Sequence, residues 1–174
     1  LCCDGSTRFV TSAIDLAILS RCAFSFPPLS SLEGWGIRFG RELNATDDRE
    51  HFVKGHATSR HLPIVEGKQI QPFVVHLAAP RHHIHARVAA RILGADGPFV
   101  RPRLAYRDVA SPTNRLTLIA AMIPAGVVTT HTLFCLKGDV NQEIQWFLCG
   151  VFNSFVANYL VRTRVGTCLL YTSP

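Results

Sequence analysis

The residues best equipped for chemistry lie between Glu66 and His131. Glu66-Gly67-Lys68 has the Glu-x-Lys form of one nuclease class, in which carboxylates hold a magnesium ion and the lysine positions the attacking water. That chemistry needs an aspartate from an adjacent strand. Asp47 and Asp48 are the nearest candidates, and no Pro-Asp dipeptide precedes them. Gly67 also favours a turn over a strand interior. The non-catalytic reading is therefore favoured, with Lys68 as a phosphate contact or a solvated turn residue. His82, His83 and His85 lack neighbouring cysteines or carboxylates and read as an exposed histidine cluster, so no metal site is expected. Phe26-Pro27-Pro28-Leu29 invites comparison with the Asn/Asp-Pro-Pro-Tyr/Phe signature that holds an adenine amine and stacks on the flipped base. Phe26 and Leu29 are wrong at both key positions, so this stretch reads as a linker. No glycine-rich strand-to-helix turn for S-adenosylmethionine is present either. The chain is expected to be non-catalytic and to hold no cofactor itself.

A second set of residues suits recognition. Asn114 and Arg115 sit beside the turn cluster Ser111-Pro112-Thr113. Asparagine can pair bidentately with adenine, and arginine with guanine or phosphate. Asparagine is equally at home in turns for local reasons. Arg107 and His131 flank the same region, and Arg81 and Arg87 lie in the basic segment 80–94. Lysine and arginine gain by displacing counterions from phosphate. The net charge of +6 and pI of about 9.3 suit a polyanionic partner.

These residues need elements to position them. Leu104 and Tyr106 alternate with Ala105 and Arg107, the pattern of a half-buried strand. Two apolar runs, 116–123 and 127–135, are joined by Pro124-Ala125-Gly126 and read as a hairpin. Residues 62–73 form an entry strand and turn. Segment 80–94 forms an amphipathic helix with a basic side, either laid on phosphates or simply solvated. A short helix is expected over 12–22. Residues 139–164 form one long helix capped by Asn141, with Ile144, Phe147, Leu148, Val151, Phe152, Phe155, Val156, Tyr159 and Leu160 as its core stripe. Residues 34–55 read either as a solvated, salt-bridged loop or as a phosphate-contacting or linker element that docks the domain on a neighbouring one. The fold class is α+β or α/β: a sheet with a hairpin packed against a long C-terminal helix.

With 48% hydrophobic and 17% charged residues, the chain is expected to fold. Cys2, Cys3, Cys22, Cys135, Cys149 and Cys168 show no Cys-x-x-Cys spacing, which suits structural thiols in a reduced, cytoplasmic compartment. No signal peptide is expected, since Asp15 and Arg21 interrupt the apolar part of the first 30 residues, and no membrane partner, since no run of about 18 apolar residues occurs.

The run YRDVASPTNRLTLIAAMIPAGVVTTHT (106–132) resembles the C-terminal specificity region of type IIG-like restriction–modification enzymes, the TaqI-like specificity domain. WGIRFGRELNATDD (35–48) is similar to the segment that precedes this domain, and LPIVEGK (62–68) to its entry strand. The resemblance covers about residues 35–165 in the right order. It implies recognition of double-stranded DNA, serving an adenine-N6 methyltransferase module of the same parent chain. S-adenosylmethionine, and magnesium for restriction, would belong to that parent. On this view residues 1–33 are the tail of a preceding region and 34–167 a truncated target-recognition domain. Residues 168–174 form a non-native, adapter-like tail. Lys68, Arg81, Arg87 and Arg107 are then candidate phosphate contacts, and Asn114, Arg115 and His131 candidate base readers. The alternatives are a magnesium nuclease using Glu66 and Lys68, or a docking fragment that makes no DNA contact.

Overall fold

A computed structural model describes residues 29–31, 36–55, 58–78, 80–108 and 116–164. The chain divides into two compact units, Leu1–Ile37 and Arg38–Pro174. In the first, Gly36 N–H donates to the Ser31 carbonyl and Ile37 N–H to that of Leu29. The expected helix over 12–22 lies outside the described residues. All that follows concerns the second unit, an α+β fold.

Its first sheet is antiparallel, with strands β1 (Arg38–Gly40), β10 (Leu133–Lys137), β7 (Arg103–Arg107) and β8 (Ala120–Ile123) in that order. The second runs β2 (Phe52–Val53), β6 (His82–His85), β3 (His61–Val65) and β9 (Val128–Thr129), with β3 and β9 parallel. A small hairpin pairs β4 (Ile70–Gln71) with β5 (Val74–Val75). Among the described residues three α-helices complete the unit: α1 (Ala86–Leu93), α2 (Gln142–Phe152) and α3 (Phe155–Arg164). Val65, Ile70, Ala105, Ile123, Val127, Leu133 and Cys135 form one apolar core. Leu43, Ile64, Ile84, Ala89, Phe99 and Val128 form another.

Four expectations need correction. The runs flanking Pro124-Ala125-Gly126 do not form a hairpin with each other. β8 pairs with β7 in the first sheet, whereas β9 pairs with β3 in the second. The loop carries the chain between sheets, with Gly126 at φ +75° donating its N–H to the Phe99 carbonyl. Hairpin geometry survives elsewhere, between β7 and β8 across a longer connection. Segment 80–94 is helical only from Ala86. His82–His85 is a strand between β2 and β3, because Ile84 fills the second core and local helical spacing cannot outweigh that pairing. His85 then caps α1 by accepting from the Arg87 N–H at 3.2 Å.

The C-terminal helix is two helices, bent by 64° at Asn153-Ser154. The expected stripe faces inward only in part, with Leu148 its one buried member. Gln145, Leu148, Cys149 and Asn158 are buried, whereas Phe147, Val151, Phe155, Val156 and Tyr159 are exposed. Amides explain the break. Asn153 Oδ1 accepts from the Ala120 N–H at 3.0 Å and its Nδ2 donates to the Ala120 carbonyl at 2.8 Å, pairing the outer edge of β8 as another strand would. Asn158 Oδ1 accepts from the Thr117 and Leu118 N–H groups, both at 2.8 Å. A straight helix places residues 153 and 158 about 140° apart, so one face cannot serve both. Among the described residues, no single helix is long and apolar enough to cross a membrane; α2 and α3 meet that test only as a bent pair.

The fourth correction concerns residues 38–43, which are not a solvated loop: Arg38–Gly40 is a strand and Glu42 and Leu43 are buried, while Arg38 and Arg41 stay exposed. Leu43 is fully buried and the Glu42 side chain is 0% exposed. Glu42 receives two hydrogen bonds from Arg103, Nε at 2.5 Å and Nη2 at 2.6 Å, and two from Thr129, backbone N–H at 2.8 Å and Oγ1 at 2.9 Å. Arg103 also donates to the Val127 carbonyl at 2.9 Å. β7 is consequently buried through Arg103, Leu104 and Ala105, so its first half has no solvent face. Removing one partner of such a pair leaves a buried charge uncompensated. Glu42→Ala is expected to lower unfolding free energy by about 3–5 kcal/mol. The check is a urea titration, in which the midpoint falls while the slope is retained.

Candidate nucleic-acid interface

The strand pairings bring distant parts of the chain to one rim of the paired sheets. β3 and β9 run parallel, so Glu66-Gly67-Lys68 and Thr130-His131-Thr132 leave at the same end. β6 runs against β3, which sets His82, and Arg81 before it, at that end too. Arg107 and Asp108 close β7 there, since Arg107 faces Leu133 at the start of β10.

Thr132 joins the parts. Its Oγ1 accepts from the Gly67 N–H at 2.8 Å and lies 2.9 Å from Thr130 Oγ1, and its carbonyl accepts from the Asp108 N–H at 3.1 Å. A β-carbon at Gly67 would sit 3.1 Å from the Thr132 carbonyl oxygen, so glycine is what allows the two turns to touch. His131 Nδ1 accepts from the Ala45 N–H at 3.4 Å. Buried Asp108 pairs with Arg41 at 3.0 Å, and the Arg41 guanidinium carbon stands 5.2 Å from the Phe134 ring centroid.

Glu66 opens a 3-10 turn over Gly67–Gln69, in which its side chain accepts from the Gln69 backbone while the Gln69 side chain accepts from Glu66 N–H. Its carboxylate lies 2.8 Å from Lys68 Nζ and 3.4 Å from His82 Nδ1. Burial pushes its pKa up, but the Lys68 hydrogen bond and charge, with His82 behind them, outweigh that and hold it below the ordinary value. This arrangement does not fit a magnesium centre. One oxygen faces the Lys68 ammonium and the other the His82 ring, and among the described residues no group of three or more His, Cys, Asp or Glu is placed to hold a metal ion. Asp47 and Asp48 instead accept from Asn44, through its side-chain amide and backbone N–H respectively.

Of the seven residues singled out from sequence, the rim gathers Lys68, Arg81, Arg107 and His131. Lys68 is 59% exposed, and Arg81 is also exposed. Arg107 faces inward. Its Nη2 donates to the Ile70 carbonyl, its Nε is buried without a partner, and burial lowers its pKa. It therefore braces the β4–β5 hairpin. Arg87 stands apart, exposed in the first turn of α1 beyond the other end of β6. Asn114 and Arg115 lie outside the described residues. Their segment follows Asp108 at the rim and ends at Leu116, which lines a cleft with Arg107. Sequence reasoning missed Arg41, Asp108 and Thr132. The Thr-Thr-His-Thr run was the available signal, but its partners come from other strands.

His83 shows a cost of this packing. Its Nδ1 is buried without a partner, and burial, then the charges of His61 and His82, lowers its pKa. No family model matches the chain, and no curated protein matches it.

Because the Glu66 pKa is depressed in the fold, its contribution to stability is complete above the ordinary carboxylate value and is lost as pH falls through the lowered one. Glu66→Gln is expected to remove that contribution. Denaturant midpoints should therefore drop less for the variant than for the wild type between about pH 5.5 and about pH 3.

Proposed function

We propose that this chain is a DNA target-recognition module, the specificity part of a type IIG-like adenine-N6 restriction–modification methyltransferase. The observation that carries the reading is the shared rim. Lys68, Arg81 and His131 converge there with both flanks of the segment that bears Asn114 and Arg115. The resemblance of 106–132 to the TaqI-like specificity domain concerns the same segment.

In this reading the rim divides its labour. Lys68 and Arg81 contact phosphates and set the register on the duplex, while Asn114, Arg115 and His131 reach base edges. Arg107 and the Thr130–Thr132 turn hold the frame from which they reach. Methylation and its S-adenosylmethionine, and restriction with its magnesium, fall to the rest of the parent chain. The exposed apolar residues of α2, Trp146, Phe147 and Val151, offer that parent a docking surface.

The experiment is a salt titration of the chain binding mixed-sequence duplex DNA, followed by anisotropy. Affinity should fall steeply with salt. Lys68→Ala and Arg81→Ala should each reduce the log–log slope by about one. Arg87→Ala, away from the rim, should leave the slope unchanged. Absence of binding at low salt by a folded sample would overturn the proposal. Magnesium-dependent cleavage abolished by Glu66→Gln would replace it with the nuclease reading.

A further inference from the structure

The β4–β5 hairpin turns through Pro72 and Phe73. Phe73 has φ +67° and, among the described residues, is the one non-glycine residue with positive φ. This left-handed conformation crowds the β-carbon of an L residue, and glycine or asparagine normally occupies it. The phenyl ring gains little from burial in return, since the residue is 55% exposed. Neither backbone preference nor core packing accounts for a phenylalanine here.

The strain is held from below. The Phe73 N–H donates to the Ala120 carbonyl at 3.0 Å, the His76 N–H donates to the Gln69 carbonyl at 2.8 Å, and Ile70 is fully buried. Arg107 grips the Ile70 carbonyl. A strained residue whose surroundings over-determine it is a pre-organised element. What it presents is an aromatic side chain more than half exposed to solvent.

Its surroundings identify what it meets. Phe73 lines a cleft of about 640 Å³ with Gln71, Arg107, Leu116 and Phe155, the last 74% exposed. Arg107 also lines a smaller cleft of about 230 Å³ with Glu66, Lys68 and Thr132. The ring therefore stands beside the basic rim, and the segment that carries Asn114 and Arg115 returns to the chain at Leu116 in the same cleft. An apolar ring beside a basic rim suits a nucleobase, which is flat, apolar on its faces and tethered to phosphate.

We infer that Phe73 is an aromatic wedge that stacks on a base of the bound duplex and partly unstacks it from its neighbour. The inference rests on the DNA-recognition reading and adds to it a second mode of contact. Aromatic side chains inserted at a base step open the stack and kink the duplex. Stacking tolerates any base, so the wedge complements the base readers without duplicating them.

The test uses the whole chain and a mixed-sequence duplex in which 2-aminopurine replaces adenine, because this base brightens when unstacked. Wild-type protein at saturation should raise its fluorescence. Phe73→Ala should keep the salt slope, bind about tenfold more weakly and lose the rise. Phe73→Tyr should retain the rise. Phe73→Gly should lose it while holding or raising Tm, since glycine relieves the strained φ; this separates a lost wedge from a lost fold. Wild-type binding without a rise, or a rise undiminished in Phe73→Ala, would overturn the wedge while leaving DNA recognition standing. Failure of the wild type to bind DNA would overturn both.

Discussion

The buried pair between Glu42 and Arg103 is the interaction on which the rest of the fold depends. Glu42 follows β1 and Arg103 opens β7, both in the first sheet, while Thr129 on β9 belongs to the second. Four hydrogen bonds converge on one carboxylate, and Arg103 reaches back to the Val127 carbonyl. Two charges removed from water are tolerated only in a geometry that satisfies them, so the pair penalises every register in which the sheets slip. Arg103 Nη1 is buried without a partner, so the satisfaction is incomplete. The same environment reaches Cys135, whose thiol lies 3.1 Å from Thr129 Oγ1. Burial and the Glu42 charge push that thiol up to about 12, leaving it inert as a nucleophile.

Fixing one sheet against the other fixes the rim. Once β9 lies parallel to β3, Thr132 meets Gly67, and four segments widely separated in sequence share one edge. A second layer of polar side chains does similar work behind the sheet. Gln145 Oε1 accepts from the Leu104 N–H at 2.8 Å, while Asn153 and Asn158 satisfy backbone groups in and beside β8. These amides replace strand partners, and the helix bends to deliver them. The outcome is a platform with polar turns on one rim and exposed aromatic residues on the helices. Recognition sites commonly lie on such turns because a stiff scaffold can aim them.

The sequence left the class between α+β and α/β, and the sheet pairings decide for α+β. The strand at Arg103–Arg107, the turn character of Glu66-Gly67-Lys68 and the capping role of Asn141 are local properties, and the sequence alone determined them. Each depends on neighbours in the chain: alternation, a glycine, a cap two residues before the N–H it accepts from. The tertiary structure decided the rest. Residues 120–123 and 128–129 have the composition of a hairpin, yet partners far away in sequence draw them into different sheets. His82–His85 fits a helical spacing, but pairing on both sides makes it a strand. Arg107 and Glu42 have the residue types of surface charges, and only the sheet-to-sheet packing turns one inward and buries the other. Long-range pairing carries no signature in a local window, because the energy that selects it is gained only when both partners are already in place.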